Sequence, residues 1–474
     1  MAFIRSISGI RATENDGLVL TKLSEYIISF CNLYGQNGII FGRDGRQTGK
    51  WIEKLIESTC ESLNVKYKNI GIAPTPTIML IVEKFGFGGG ISITASHNPS
   101  QWNGLKFINQ DGVFLNQIEN NQLWDLVDNK TYSFEYLPKM KTNHKNYNEV
   151  VKVLDDNNFN ALEYHLNEIL SLPIIKSNFE EMCKYFKENN FKVVVDAVNS
   201  SGSIIVPKLL ETFGVEVIRL FCDDTQNFPH TPEPILENLT ELIDNVKETN
   251  SNLGIAVDPD ADRLVVIAEN GVAIGEENTI VLSALSLLEY LKLSTNLPIN
   301  IVVNSSTTSM VEKVADKYDA KVFRSSVGEI NVVEEMKKVN AVIGGEGSGG
   351  VILPELHYSR DSVVGVALIL YLLYSQKSNL LTIIDKIGSS FMLKDKIAFE
   401  GDLEIILPKI QDEFQNDKII MGDGIKIYLS DYEWVQLRKS NTEPIVRIIA
   451  ESNFEEVSKN LLNRVKSIFI KNVK

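Results

Sequence analysis

Short β-branched runs alternate along this chain with stretches in which apolar side chains recur every three or four positions. Residues 38–42 (GIIFG), 90–94 (GISIT), 191–196 (FKVVVD), 215–220 and 301–304 (IVVN) predict strands. Residues 20–31, 50–63, 203–213 and 307–318 carry helical spacing. The longest apolar run, 363–374, is too short to span a bilayer and predicts a buried helix. Strand–helix alternation of this kind points to α/β domains with parallel or mixed sheets.

Polar, poorly periodic stretches suggest the breaks. The expected units are 1–150, 151–254, 255–378 and 379–474, the first three α/β and the last a smaller C-terminal α+β unit. No short-period repeat and no low-complexity segment is visible. A chain of 474 residues fits this division at roughly 100–200 residues per domain.

Composition narrows the function. Apolar residues at 44% and charged residues at 23% exclude a disordered, collagen-like or coiled-coil chain. With 47 basic against 62 acidic side chains the net charge is −15. Such a field repels nucleic acid and anionic lipid, so neither a nucleic-acid nor a membrane partner is expected. A small anionic ligand is still accommodated wherever local cations outweigh the net field. Four widely spaced cysteines (Cys31, Cys60, Cys183 and Cys222) form no CxxC pair and are expected to be reduced, buried thiols. With no secretory pattern in the first residues, a cytoplasmic location is expected.

Four segments could carry chemistry. In 91–107 (ISITASHNPSQWNGLKF) a strand runs into a polar turn, which exposes Ser96 at a strand end. His97 and Lys106 lie close enough in sequence to move protons or add positive charge. An ordinary Ser/Asx turn is the plainer alternative. In 258–263 (DPDADR) Asp258, Asp260 and Asp262 sit on a loop stiffened by Pro259, directly after the run GIAV. Three carboxylates so placed can converge on one hard cation, and oxygen-only ligation suits Mg²⁺. The alternative is a solvated acidic turn. Arg263, next in line, could orient a phosphoryl group. In 344–350 (GGEGSGG) Glu346 and Ser348 offer an acceptor and a donor suited to vicinal hydroxyls. In 438–447 (RKSNTEPIVR) Arg438, Ser440, Asn441 and Thr442, with Arg447 close behind, could grip a phosphate dianion.

The arginine-bearing stretches 5–11 (RSISGIR) and 42–49 (GRDGRQTG) could feed a cleft, the second more as scaffold than as catalyst. HExxH, GxSxG and P-loop patterns are absent. GEGSGG satisfies the letters GxGxxG, but the following VILPEL reads as strand and turn instead of the helix a dinucleotide site needs.

Taken together and in this order, the four loops closely resemble the α-D-phosphohexomutase family over essentially the whole chain. The resemblance implies three related α/β domains plus a smaller fourth one around a central cleft, each donating a loop. It implies a phosphoserine at Ser96, with Mg²⁺ held by Asp258, Asp260, Asp262 and the group on Ser96. Glu346 and Ser348 would hold sugar hydroxyls, and Arg438, Ser440, Asn441, Thr442 and Arg447 the unreacting phosphate. Catalysis would fall to Ser96, His97, Lys106, Arg263 and Arg11, with His97 and Lys106 ahead of Arg11 as proton acceptor. The implied reaction interconverts hexose 6-phosphate and 1-phosphate through a 1,6-bisphosphate, which also serves as activator. Glucosamine phosphate is the expected substrate, with mannose and glucose phosphates as the alternative. A phosphatase or bisphosphate synthase, or a silent sugar-phosphate sensor, is more remote. The partner is thus a small sugar phosphate, and the protein a monomer or homodimer. Two departures stand out: Ala12 follows Gly9-Ile10-Arg11 where the family commonly has Gly, and Gly350 stands where many members have His. His357, seven residues on, is a candidate replacement. The stretch 324–330 (RSSVGEI) would be a further sugar-facing loop.

Overall fold

The computed structural model describes residues 3–14, 16–137, 146–223, 227–292, 298–440 and 444–473. Its strands form four sheets. The first has β1 (Phe3–Ser6), β2 (Gly9–Thr13), β3 (Ile39–Arg43), β4 (Tyr67–Ile72), β5 (Gly89–Ile93) and β6 (Trp102–Ile108), in the order β1-β2-β6-β5-β3-β4. The second has β7 (Lys192–Asp196), β8 (Glu216–Phe221), β9 (Leu253–Val257), β10 (Leu264–Ala268) and β11 (Val272–Ala273), ordered β11-β10-β9-β7-β8. The third has β12 (Asn300–Asn304), β13 (Lys321–Ser325), β14 (Ile343–Glu346) and β15 (Gly350–Ile352), ordered β13-β12-β14-β15. The fourth is wholly antiparallel: β16 (Phe391–Ala398), β17 (Lys418–Gly422), β18 (Gly424–Ser430), β19 (Glu433–Lys439) and β20 (Ile445–Ser452), ordered β16-β20-β19-β18-β17.

One plan recurs in the first three sheets. A central strand (β3, β7 or β12) pairs in parallel with two neighbours, and the second of these neighbours turns back into an antiparallel partner. The returns are β5 to β6, β9 to β10 and β14 to β15, and they carry Ser96, the aspartates, and Ser348 respectively. Parallel strands need helical crossovers, whereas an antiparallel return needs only a short loop. The short loop is therefore a natural place for polar side chains that stand clear of the strand ladder. The repeat lives in topology, which is why no sequence repeat betrays it.

The predicted strands and helices form with ends shifted by up to three residues, except that 307–318 is helical only over Met310–Asp316. There Thr307 and Thr308 turn their hydroxyls to Asn304 and Glu451, competing with the helix. The apolar run becomes the helix Ser362–Gln376, buried along most of its length in a core shared by the second and third units. Among the described residues no single helix is long and apolar enough to cross a membrane.

The unit boundaries shift from those expected. β9 and β10 complete the second sheet, so the break placed at 254/255 falls inside it, and the second unit runs on to Ala273. The hairpin that binds the aspartate loop to its own sheet is a local pairing that hydrophobic pattern alone does not rank. Helix Leu380–Ile387 buries Leu380, Ile383 and Ile387 in the shared core, so the fourth unit starts at β16 instead of 379. Val150 and Val153 of helix Tyr147–Asp155 pack with Ile40, Ile78 and Ile108, which carries the first unit past 150. All four cysteines are free; Cys31 and Cys60 are buried as expected, Cys183 and Cys222 only partly.

Candidate active site

Ser96 follows β5 in the left-handed region at φ 52°, a conformation a non-glycine residue adopts only when its surroundings impose it. The surroundings are explicit. Ser96 N donates to Thr94 Oγ1 at 2.8 Å, and Thr94 Oγ1 donates to Asp44 Oδ2 at 2.6 Å. The buried Arg46 guanidinium pairs with Asp44, donates to Ser96 O at 2.7 Å and to Asn98 O, and lies over the Phe228 ring. The 42–49 stretch is thus scaffold, as its sequence suggested. Arg11 Nη1 donates to Asn98 Oδ1 at 2.9 Å, and His97 Nδ1 lies 3.4 Å from Ser96 Oγ.

The Ser96 hydroxyl donates across to the aspartate loop, reaching Asp258 Oδ2 at 3.2 Å. Asp258 Oδ1 accepts from the backbone N–H of Asp262 and Arg263, which folds the loop into a tight arch. Asp260 Oδ2 accepts from Thr75 Oγ1 and from Lys106 Nζ, both at 2.6 Å. Lys106 Nζ also reaches Asp262 Oδ2 at 2.9 Å, and Arg360 Nη2 reaches the same oxygen at 2.7 Å. All three carboxylates are buried, and one oxygen from each lies within 4.8 Å of the others. Burial, then Asp262 and Asp260, push the Asp258 carboxyl well above the usual carboxylate range. Burial also opposes ionisation of Asp262, but Arg360, Lys106 and Arg263 outweigh it and hold that carboxyl below its usual range. The same balance raises Lys106: burial disfavours its charge, yet Asp260 and Asp262 prevail.

The donor set tests whether a metal fits. Asp260 Oδ1 and Asp262 Oδ1 are buried and find no hydrogen-bond partner among the described residues. Uncompensated buried carboxylate oxygens are costly, and two of them beside a third carboxylate suit a hard divalent cation such as Mg²⁺. The residues fit.

At the β14–β15 turn, Glu346 Oε1 accepts from Asn304 Nδ2 at 2.7 Å and Gly328 N at 3.2 Å, and Oε2 accepts from Arg360 Nη1 at 2.7 Å. A carboxylate has about four lone-pair directions, so capacity remains for a ligand hydroxyl. On the fourth sheet, Arg438 of β19 stands directly opposite Arg447 of β20, which in turn stands opposite Lys396 of β16. Like charges facing each other across strands are unfavourable on their own. A row of three cations at one end of a sheet can offset the charge of an anion.

These pieces line one cavity of about 730 Å³. Arg11, Ser96, His97, Lys106, Arg263, Glu346, Ser348, Arg438, Ser440 and Arg447 all face it, with the aspartates held against Ser96 and Lys106. Asn441 and Thr442 lie outside the described residues. The stretch 324–330 contributes Val327, Gly328 and Glu329 to the wall. His357 does not take the place of the missing histidine. It is fully buried against Asp361, which it shares with His165, and it does not line the cavity.

Burial, helped by Arg263 and Arg11, holds His97 well below the ordinary histidine range, so it is neutral near pH 7. Burial brings Arg11 down only to about 10, so it keeps its charge there. Arg360, Lys394 and Lys396 also line the cavity and were not singled out by sequence. Lys394 and Lys396 belong to a segment with no local motif. For Lys396 the only available signal was alternation along β16, and that does not say which strand lies alongside.

The chain matches the phosphoglucomutase/phosphomannomutase alpha/beta/alpha domain families I, II and III over residues 5–133, 173–271 and 276–390. It is 31% identical to a phosphoglucosamine/phosphogalactosamine mutase of Sulfurisphaera tokodaii, spanning 97% of both chains. It is 30% identical to a phosphoglucomutase/phosphomannomutase of Thermococcus kodakarensis, spanning 96% of this chain and 95% of the relative. Among solved structures, a phosphoglucomutase/phosphomannomutase family protein of Burkholderia thailandensis superimposes with a TM-score of 0.80 at 20% identity, over 99% of this chain and 97% of the other.

Proposed function

Because this chain belongs to the phosphoglucomutase/phosphomannomutase family and so is a phosphohexomutase, an isomerase, we propose that it interconverts glucosamine 6-phosphate and glucosamine 1-phosphate through a phosphoserine at Ser96. One observation carries the reading. A single cavity presents the Ser96 hydroxyl, backed by the aspartates and Lys106, and elsewhere on its wall the Lys396–Arg447–Arg438 row. A chamber with a phosphoryl-transfer centre and a separate anion site is what a sugar bisphosphate requires.

In the proposed cycle the anion row and Ser440 hold the phosphate that does not react, and Glu346 and Ser348 orient the sugar by its hydroxyls. The free sugar hydroxyl attacks phosphorus of phospho-Ser96 in line, so the Ser96 Oγ–P bond breaks as the sugar O–P bond forms. Among the three candidate proton acceptors, Lys106 is held charged by two aspartates and Arg11 stays protonated near neutrality. His97, whose Nδ1 lies 3.4 Å from Ser96 Oγ, is the remaining acceptor and takes the proton. Arg263 and Lys106 offset the charge of the moving phosphoryl group. A Mg²⁺ held by Asp258, Asp260, Asp262 and the Ser96 group would supply further charge neutralisation there. The bisphosphate then turns end over end and returns its other phosphoryl group to Ser96. Free hexose 1,6-bisphosphate activates by phosphorylating a resting Ser96.

The test is kcat/KM with Mg²⁺ and catalytic hexose 1,6-bisphosphate on glucosamine, mannose and glucose phosphates, with Ser96→Ala alongside. A preference for glucosamine phosphate, abolished in the variant, is expected. Comparable rates on mannose and glucose phosphates overturn the substrate and keep the mechanism. Full turnover by Ser96→Ala, or stoichiometric release of inorganic phosphate, overturns the mechanism.

A further inference from the structure

Arg360 joins loops that no shared segment of chain connects. Its Nη2 donates to Asp262 Oδ2 at 2.7 Å, its Nη1 to Glu346 Oε2 at 2.7 Å, and its Nε to Glu329 Oε2 at 3.0 Å. Its backbone N donates to Glu329 Oε1 at 3.1 Å, and its backbone bridges to Ile352 of β15. One nearly buried guanidinium thus serves carboxylates of the aspartate loop, the β14–β15 turn and the helix Glu329–Val339.

Space for this comes from Gly350. A Cβ built there would lie 2.2 Å from Arg360 Cδ and 2.9 Å from its Cγ. The side chain cannot sidestep cheaply, because all three of its nitrogens are engaged. Any residue larger than glycine at 350 would therefore expel the Arg360 stem. The glycine and the arginine, ten positions apart, form one device.

Resting on the phosphohexomutase reading, we propose that Arg360, threaded past Gly350, is a positioning residue that couples the cation site to the sugar site. Three carboxylates share the charge of one guanidinium, each through its own nitrogen. A cation bound at the aspartates neutralises Asp262 and weakens its claim on Arg360. The guanidinium then serves Glu346 more fully and fixes that carboxylate in the orientation a sugar hydroxyl meets. By linkage the effect is reciprocal: a sugar phosphate that engages Glu346 raises the affinity for the cation. Lysine could not substitute, since a single ammonium point charge lacks the planar fork that reaches two loops at once.

The experiment is calorimetric titration of Mg²⁺ into dephosphorylated full-length enzyme without bisphosphate, so that no turnover occurs. It is run alone and with saturating glucosamine, mannose or glucose 6-phosphate. Wild type is expected to bind Mg²⁺ roughly 5- to 150-fold more tightly with the sugar phosphate present, the ordinary range of coupling between two sites. In Arg360→Met and Arg360→Lys the two affinities converge to within about two-fold. Gly350→Ala does the same although its arginine is intact, and adding Arg360→Met to it changes nothing further. The loss of the sugar-phosphate effect on Mg²⁺ affinity in a variant that still melts cooperatively is a readout a merely structural role would not produce. Should Arg360→Met fail to fold, Gly350→Ala carries the test, with its melting curve as control. Equal Mg²⁺ affinities in wild type with and without a bound sugar phosphate overturn this proposal alone. Absence of both binding and turnover with all three hexose phosphates overturns the functional reading and this proposal with it.

Discussion

Replacing Arg46 by methionine is the sharpest way to ask whether the strained serine turn is held from outside. The side chain grips the turn by the carbonyls of Ser96 and Asn98 while pairing with buried Asp44. Methionine fills most of the volume and removes every donor. Breaking a buried ion pair by deleting one partner costs about 3–5 kcal/mol. Each lost charge-assisted bond to a carbonyl would add about 1.5–3 kcal/mol if independent. One guanidinium makes all of them, so they do not add fully, and a loss of about 5 kcal/mol is the working figure. For a unit of this size a loss of 1 kcal/mol lowers the midpoint by roughly 3 °C, so its melting transition should drop by about 15 °C.

Freed from Arg46, Ser96 leaves φ 52° and its hydroxyl no longer meets Asp258. A misplacement of about 1 Å costs on the order of 100-fold in rate, so kcat should fall about that much while KM barely moves. Arg46→Lys should recover the charge toward Asp44 and little of the rate, because an ammonium cannot serve both carbonyls. Differential scanning calorimetry and steady-state kinetics at a temperature below the shifted transition read both quantities. A variant with wild-type kcat and an unchanged melting profile would refute the argument that the turn is imposed by its scaffold.

Two further outcomes are expected. Burial pushes Glu329 up to about 7 from an ordinary value near 4.5, against the pull of Arg360. The folded state therefore holds a proton that the unfolded chain has released, and this contribution, fully present below pH 4.5, is lost as pH rises through 7. Glu329→Gln should remove a pH-dependent term on the order of 3 kcal/mol across that window, read by denaturant titration at several pH values; parallel pH profiles would sink the assignment. Asp361 accepts at Oδ1 from the first N–H groups of the helix Ser362–Gln376 and at Oδ2 from His165 and His357. Asp361→Asn keeps the cap but turns an N–H₂ toward two ring nitrogens, so a loss of roughly 3 kcal/mol is expected in chemical denaturation, and a change under 1 kcal/mol would show that the cap is all that matters.

The four loops were legible as letters because the polar groups of each are neighbours along the chain. The Asp258-Pro259-Asp260-Ala261-Asp262 spacing places three carboxylates on one arch whatever surrounds it, and the arch is closed by Asp258 itself accepting from the backbone of Asp262 and Arg263. Ser96 and Glu346 were legible only as residue types: Ser96 takes its left-handed conformation in the grip of Asp44 and Arg46, and Glu346 its orientation from Asn304 and Arg360. The alternation of β-branched and helical periods gave the α/β class, because side-chain period follows directly from backbone geometry.

What the chain order could not contain is which strands lie side by side. Lys396 faces Arg447 only because β16 pairs with β20, and so the third cation of the anion row comes from a segment with no motif. The second unit ends at β11 instead of 254 because β9 pairs with both β7 and β10, a choice made by hydrogen bonding between distant residues. Arg360 is invisible for the same reason. Its three acceptors lie on three different segments, and the glycine that admits it is recognised only once the Cβ it lacks is placed beside the arginine stem. Sequence determined the chemical groups, the strand and helix periods and the closure of the aspartate arch, since these depend on a few neighbouring residues. Tertiary structure alone decided which groups share a charge, because electrostatic and steric contact depends on distance through space and not along the chain.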